Sequence, residues 1–337
     1  MKQLRFPIKM LGLFAFLVAL FFVSFMIGRY PVSPKTVWDI LLSRLFPQPV
    51  YWDGTLETVV LQVRLPRMLM GILVGGTLSV AGASYQTLFK NPMVSPDLLG
   101  VSAGAGFGAA LALLNQASWW QVQLAAFVFG ILAVFLSYSI GKAFGKGSIT
   151  VLVLAGIVIS SLFQSLLAIV KTLADTDNTL ASITFWLMGS LGRASNTDVL
   201  VMLPSTAFSL ILLFLFRHRI DVLAAGEDEA LTMGVNVPLT KLVVVTASTL
   251  ITVCAVSICG IIGWVGMIVP HIARMIAGAS YSKIGAISFL IGGIMLLLID
   301  NAIRGIQGVE LPLGVLTSLV GTPIFVALLA RTKRTWS

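Results

Sequence analysis

Ten apolar segments, most of them about twenty residues long, alternate with short polar segments along the 337-residue chain. A helix of about 20 residues spans the roughly 30 Å hydrocarbon core of a bilayer. Helices satisfy all their backbone hydrogen bonds internally, as a membrane requires. We therefore predict an all-α, polytopic membrane protein with about ten transmembrane helices, near positions 10–28, 60–84, 95–114, 120–141, 149–170, 197–216, 241–262, 266–278, 284–303 and 311–330.

The composition leaves little room for a soluble part. Hydrophobic residues make up 58% of the chain and charged residues 10%, and the mean hydropathy is +1.00. A soluble domain carries about 25% charged residues, so we expect a single transmembrane domain over residues 1–337. The net charge of +9 does not indicate nucleic-acid binding, because the basic residues are scattered at the ends of apolar segments and form no patch.

The N-terminal segment has basic residues, Lys2, Arg5 and Lys9, ahead of its first apolar run. That run is too long for a signal-peptide core and no small-residue cleavage site follows it, so we expect a retained spanning helix. Ten spans place both termini on one side. Fourteen of the 22 lysine and arginine residues, but five of the 13 acidic residues, then fall on that side. The positive-inside rule makes it the cytoplasm.

The segment AAGEDEALTMG, residues 224–234, is the most acidic and least apolar stretch between spans. We predict a short cytoplasmic helix here, within a polar loop at about 217–240. Acidic residues favour its start and Gly234 suits its end. A solvated loop is the alternative from these residues alone.

No nucleotide-binding motif is recognisable. The segment GKAFGKGS, residues 141–148, has the wrong spacing for a phosphate-binding loop and follows no strand. Any ATP must therefore be hydrolysed by another chain.

Cys254 and Cys259 are five positions apart, which is not one helical face, and buried thiols more often pack than react. We predict no catalytic residue, no metal site and no cofactor bound by this chain.

Ion-coupled carriers place ionisable residues in mid-membrane, and these apolar runs are nearly free of them. Asp300 and Arg304, four apart near an outer helix end, can form a purely structural pair. A secondary transporter or channel working without an ATPase remains the alternative.

Glycines recur about four apart in residues 71–82 and 100–108. That spacing allows close helix packing, either structural or in helices that line a path.

A series of motifs resembles the FecCD/BtuC-like permease subunits of bacterial ABC importers for iron–siderophore complexes, haem and cobalamin. The motifs occur in the family's order and cover the chain from about residue 60 to 330. They lie at residues 64–67, 75–82, 86–92, 95–100, 186–189, 224–234, 260–274, 311–317 and 321–323.

The resemblance implies a transport subunit, not an enzyme, that moves a metal-containing solute from periplasm to cytoplasm by alternating access. It implies a homodimer in the bacterial inner membrane, surrounded by lipid, with one path at the twofold interface. Two cytoplasmic ATPase subunits, which use ATP and Mg²⁺, and a periplasmic substrate-binding protein are the expected partners. An exporter is disfavoured by the expected outer-face arginines. Relatives that import molybdate or tungstate leave the substrate open.

The resemblance also assigns residues to roles. Two short helices mapped to residues 224–237 are expected to fit a cleft on the ATPase. Arg64 and Arg304 match outer-face arginines that pair with carboxylates of the binding protein. The cytoplasmic gate between the fourth and fifth spans maps to Ser148, Ile149 and Thr150. The residues that match the ATPase-coupling pattern are Gly226, Glu227, Ala230, Leu231 and Gly234.

Overall fold

The computed structural model describes residues 5–47, 49–145, 149–306 and 311–332. All regular structure in these ranges is helical. A π-helical stretch, Val59–Arg64, joins the third and fourth helices. The α-helices are α1 (Arg5–Ser24), α2 (Pro34–Ser43), α3 (Gly54–Thr58), α4 (Leu65–Leu88), α5 (Val101–Leu114), α6 (Trp119–Gly145), α7 (Ile149–Leu173), α8 (Thr179–Leu187), α9 (Asn196–Ala225), α10 (Glu227–Thr232), α11 (Val237–Cys259), α12 (Val265–Ala277), α13 (Tyr281–Gly305) and α14 (Leu313–Thr332).

Seven helical segments within the described ranges are long and apolar enough to cross a membrane. They are α1, the continuous stretch Gly54–Leu88, α6, α7, α9, α11 and α13. Three further apolar helices, α5, α12 and α14, occupy the third, eighth and tenth predicted runs. The prediction of an all-α protein with about ten membrane helices is therefore confirmed, although α5 and α12, with 14 and 13 residues, are shorter than a full span.

Two helices form the centre of the molecule. Among the long spans, α4 and α11 are the most deeply buried, and α4 packs against α9, α11, α12 and α13. The peripheral helices α1, α6, α7 and α9 keep large apolar side chains exposed. Such a surface suits contact with lipid chains, which are as apolar as the side chains themselves.

Backbone contact between α4 and α13 depends on two facing glycines. A Cβ atom on Gly75 would lie 2.2 Å from the carbonyl oxygen of Gly292, and one on Gly292 would lie 2.1 Å from the carbonyl oxygen of Gly75. Both distances are far below any van der Waals contact, so only glycine fits at either position. The glycine spacing noted in the sequence serves helix packing here.

The polar segments differ in detail from the prediction. Helix α9 continues to Ala225, so Arg217 and Asp221 lie on this helix and not in the predicted 217–240 loop. At the third run, Asp97 stands before α5 and accepts a hydrogen bond of 2.6 Å from the Ser102 N–H.

Candidate translocation and docking sites

Helix α10 stands at one end of the helix bundle, between the end of α9 and the start of α11. The bundle end marked by this helix is called the α10 end below. Glu227, Asp228 and Glu229 occupy the first turn of α10, where negative charge interacts favourably with the helix dipole. Glu227 also forms a 2.8 Å ion pair with Lys241 of α11. The predicted short acidic helix is therefore confirmed.

The end of α10 has the expected glycine. Gly234 has a φ of +74°, a left-handed conformation that glycine adopts without strain. The Val235 N–H donates to the carbonyl oxygen of Ala230 at 2.9 Å, and the Gly234 N–H donates to that of Leu231 at 3.0 Å. This arrangement is a Schellman cap. Helix α11 follows at Val237, so one short helix, not two, precedes it.

The five residues matched to ATPase coupling divide into two groups. Gly226 and Ala230 are buried, and Ala230 packs into the main core cluster with residues of α9, α11, α12 and α13. Leu231 and Gly234 are exposed and Glu227 is partly exposed. Only the second group is available to a partner, while Gly226 and Ala230 hold the helix in place.

The exposed surface of α10 includes residues that the motif comparison did not single out. Met233 is 68% exposed and Leu231 is 59% exposed, an unusual position for large apolar side chains beside a polar helix. Asp228 and Glu229 are exposed next to them. We define this α10 patch as Asp228, Glu229, Leu231 and Met233. The two large apolar residues that closely follow three consecutive acidic ones in the sequence could have indicated it.

The opposite end of the bundle contains a cluster of buried charges. Asp300 of α13 is fully buried. Its Oδ1 accepts a hydrogen bond of 2.9 Å from Arg67 Nε. Its Oδ2 lies 2.9 Å from Arg304 Nε. The two charges form an ion pair, but the geometry is not that of a hydrogen bond. The structural Asp300–Arg304 pair anticipated from the sequence is therefore present, and Arg67 joins it.

Arg64 and Arg304 both hold the turn that follows α1. Arg64 donates to the carbonyl oxygens of Phe25 and Tyr30. Arg304 Nη1 donates to the carbonyl oxygens of Ser24 and Ile27, each at 2.9 Å. The Ser24 carbonyl is one of those that the end of α1 leaves without an intrahelical partner, and the other three acceptors belong to the turn beyond it.

The two arginines predicted to dock a binding protein thus lie at the same end of the bundle but are turned inward. Arg64 is 5% exposed, and the Arg304 side chain is 8% exposed. In this conformation their guanidinium groups bind main-chain carbonyls and, for Arg304, a carboxylate. The docking role remains a prediction, and a direct contact would require the 24–30 turn to move.

The predicted gate lies at the start of α7. Ser148 is outside the described residues. Ile149 is partly buried and Thr150 is exposed, in the first turn of that helix. The adjoining end of α6 packs closely here, since a Cβ on Gly145 would lie 2.8 Å from Val151 Cβ. The gate role of these residues also stays a prediction.

Three irregular segments meet beside a cavity that the sequence did not reveal. The Ser190 N–H donates to the carbonyl oxygen of Cys259 at 2.8 Å, and the N–H groups of Leu313 and Gly314 donate to those of Gly189 and Met188, each at 2.9 Å. These bonds join the segment after α8, the break between α11 and α12, and the start of α14.

The adjoining cavity is about 780 Å³ and includes Met188, Ile261, Trp264, Ser318 and Thr322 in its lining. Helix α12 has 13 residues, or about 20 Å at 1.5 Å per residue, which is less than a bilayer core. The non-helical residues 260–264 stand directly before it. Irregular backbone at membrane depth is tolerated where it lines a cavity, and in transporters such breaks lie beside the transport path.

The bundle of membrane helices, the broken segments around a cavity and the short helix at one end together define a polytopic membrane permease. Residues 16–331 match the model of the FecCD transport family. The chain belongs to this family and is an ABC transporter permease. The resemblance seen in the motifs is thereby confirmed.

Several relatives are similar over nearly the whole chain. The molybdate import system permease protein MolB of Haemophilus influenzae is 35% identical over 99% of this chain and 98% of its own length. The hemin transport system permease protein HmuU of Yersinia pestis is 33% identical over 97% of each chain. A solved "metal-chelate type ABC transporter" in "an inward-facing conformation" is 33% identical, covers 97% of this chain and 100% of its own, and has a TM-score of 0.86.

Proposed function

We propose that this chain is the transmembrane subunit of an ATP-driven importer that moves a metal-containing solute across the bacterial inner membrane into the cytoplasm. The observation that carries the proposal is α10, a short capped helix that exposes Leu231 and Met233 at one end of a membrane bundle. An apolar and acidic patch on a helix held by a buried alanine suits docking of a soluble protein. The family membership supports an ATPase as that protein.

The proposed orientation follows the charge distribution. The excess of lysine and arginine on the side of the termini favours a cytoplasmic location for both termini and for α10. The 780 Å³ cavity between α8, the 260–264 segment and α14 would form part of the solute path. A second copy of this chain would complete that path, and a periplasmic binding protein would deliver the solute at the Arg64 end.

The substrate class is inferred from the relatives. Those described above are named for molybdate, hemin and metal chelates, and a cobalamin permease of Halobacterium salinarum is 34% identical over 82% of this chain. All of these solutes contain a metal. We therefore propose a metal chelate, such as iron–siderophore, haem or cobalamin, or a molybdate or tungstate oxyanion.

The coupling role is tested with Leu231→Asp in the complete transporter. A charged side chain in the middle of the α10 patch should weaken ATPase-subunit binding by at least about tenfold, as loss of an interface hot spot does. Because Leu231 is 59% exposed, the thermal stability of the permease should not change. The measurements are co-purification of the ATPase subunit and stimulation of ATP hydrolysis by the loaded binding protein.

Leu45→Asp is the matched control, because Leu45 is 75% exposed outside the spanning helices. It should leave co-purification of the ATPase subunit unchanged. Full ATPase binding and stimulation in Leu231→Asp would contradict the role of the α10 patch.

The importer proposal has its own test, in which the purified permease is placed alone in liposomes. Solute uptake driven by an ion gradient, without ATPase, would favour a secondary transporter.

A further inference from the structure

A groove on the side of the helix bundle is not used by the proposed transport function. It has a volume of about 650 Å³ and lies between α1 and α9, with α13 as its floor. Helix α1 packs mainly against α13, which leaves a gap between α1 and α9. Pockets of roughly 300–1,000 Å³ hold single small molecules, so the groove has room for acyl chains.

The walls of the groove are almost wholly apolar. Phe14 of α1 and Ile211 and Phe214 of α9 are exposed. Phe289 and Gly285 of α13 lie beneath them. In a membrane-spanning bundle, such a face is covered by lipid chains or by another apolar helix. The charge at the groove's mouth distinguishes between these occupants.

Arg217 lines the groove and supplies a positive charge. Its guanidinium lies 3.8 Å from the centre of the Phe214 ring, and its Nη1 donates to the Phe214 carbonyl oxygen at 2.9 Å. An arginine carries five N–H donors, so other donors remain for a ligand. Within the described ranges, no carboxylate forms a salt bridge with Arg217.

The nearest acidic residue along the helix is already engaged. Asp221, one turn beyond Arg217, accepts hydrogen bonds from the Ser280 hydroxyl at 3.1 Å and from the Ser282 N–H at 3.2 Å, and also from the Tyr281 N–H. It therefore caps the start of α13. The charge of Arg217 is left to attract an anion from outside the protein.

The depth of Arg217 matches that of a lipid headgroup. Helix α9 begins at Asn196, and the 21-residue separation to Arg217 corresponds to about 32 Å at 1.5 Å per residue. A bilayer's hydrocarbon core is roughly 30 Å thick. With Asn196 at one boundary of the hydrocarbon core, Arg217 lies at the other boundary. Ile211 and Phe214 then lie at the depth of the acyl chains.

We propose that this groove binds one anionic phospholipid per chain, with its acyl chains between α1 and α9 and its phosphate on Arg217. A basic residue beside an apolar groove at this depth complements the charge and shape of such a lipid. Helix α9 leads into α10 within ten residues of Arg217. The bound lipid would therefore brace the helix that carries the α10 patch.

The test is native mass spectrometry of the delipidated full-length chain, titrated with phosphatidylglycerol or phosphatidylcholine bearing identical acyl chains. A basic residue near a membrane surface contributes about 1 kcal/mol to anionic lipid binding, which corresponds to about a fivefold preference. We expect one phosphatidylglycerol per chain, bound about fivefold more tightly than phosphatidylcholine. Arg217→Gln should abolish that preference.

Arg219→Gln is the matched control, since it removes the same charge two positions away, outside the groove lining. It should keep the preference. A second variant, Gly285→Leu, fills the floor of the groove, where a Cβ meets no atom closer than 4.0 Å. It should weaken binding of both lipids at this site.

Three results would overturn the proposal. Equal binding of the two lipids by the wild-type chain would mean that Arg217 selects no headgroup. If Arg217→Gln and Arg219→Gln lost the preference for phosphatidylglycerol equally, the preference would come from general surface charge and not from this groove. A co-purifying small membrane protein in the groove, with no lipid retained, would show that a helix occupies it. None of these measurements depends on transport, so their failure is separable from failure of the importer proposal.

Discussion

Asp300 shows what a single buried carboxylate does in this bundle. It lies 2.9 Å from a guanidinium nitrogen of Arg67 and from one of Arg304, and Arg304 in turn holds the turn after α1. A buried charge that loses its partner is costly, whereas an exposed pair contributes little. The contribution of these arginines to stability therefore depends on Asp300.

Asp300→Asn should destabilise the protein by about 3 kcal/mol, because it leaves buried guanidinium groups without this carboxylate. The measurement is thermal unfolding of the purified chain in detergent. Arg44→Gln is the control, since its side chain in the pair with Glu57 is 60% exposed, and it should change stability by less than about 1 kcal/mol. Equal effects of the two variants would refute this account of the cluster.

Ala230 illustrates how far the role of a residue could be predicted from the sequence. The motif match marked it for coupling, yet its side chain is fully buried and touches the core. Leu231 and Met233 provide the exposed apolar surface instead. A sequence motif records that a residue type is required at a position, but burial decides whether the requirement comes from packing or from contact with a partner.

At the scale of the helices, the contact of α4 with α13 depends on the absence of side chains at Gly75 and Gly292. The periodic glycines in the sequence indicated close packing but not which helices meet. The partner is decided in three dimensions, because Gly292 is more than 200 positions from Gly75 along the chain.

Gly75→Val should destabilise the protein by about 1–3 kcal/mol or more, the usual cost of overpacking, because its Cβ would lie 2.2 Å from a backbone carbonyl. Backbone atoms cannot give way as a flexible side chain can. Gly12→Val on α1 is the control, since nothing lies within 4 Å of its Cβ position. The thermal unfolding midpoint of both variants is compared with that of the wild type, and an unchanged Gly75→Val would refute the contact.

At the scale of the whole molecule, the surface of α14 is left open beside the cavity. Leu319 lines the cavity and is 68% exposed, and Val315 is 48% exposed. A path for a solute requires a second wall on this side. We expect a second copy of the chain to supply it through this face.

Leu319→Arg should raise the dissociation constant of the homodimer at least about tenfold, because like charges would be brought together across a symmetric interface. The molecular mass of the detergent-solubilised chain, measured by light scattering over a range of concentrations, reports the change. Leu45→Arg, at an equally exposed position outside the spans, should leave the mass unchanged. A fully dimeric Leu319→Arg variant would exclude this face.

The sequence by itself determined the all-helical membrane class, the approximate number of spans and the acidic helix that Gly234 caps. These features follow from local rules, since a bilayer requires long apolar helices and a helix end favours glycine. Only the tertiary structure decided which side chains are exposed. The inward turn of Arg64 and Arg304, the backbone junction at Gly189, Cys259 and Leu313, and the groove at Arg217 all depend on residues far apart in sequence. Such contacts depend on how helices pack, and local sequence patterns do not specify that packing.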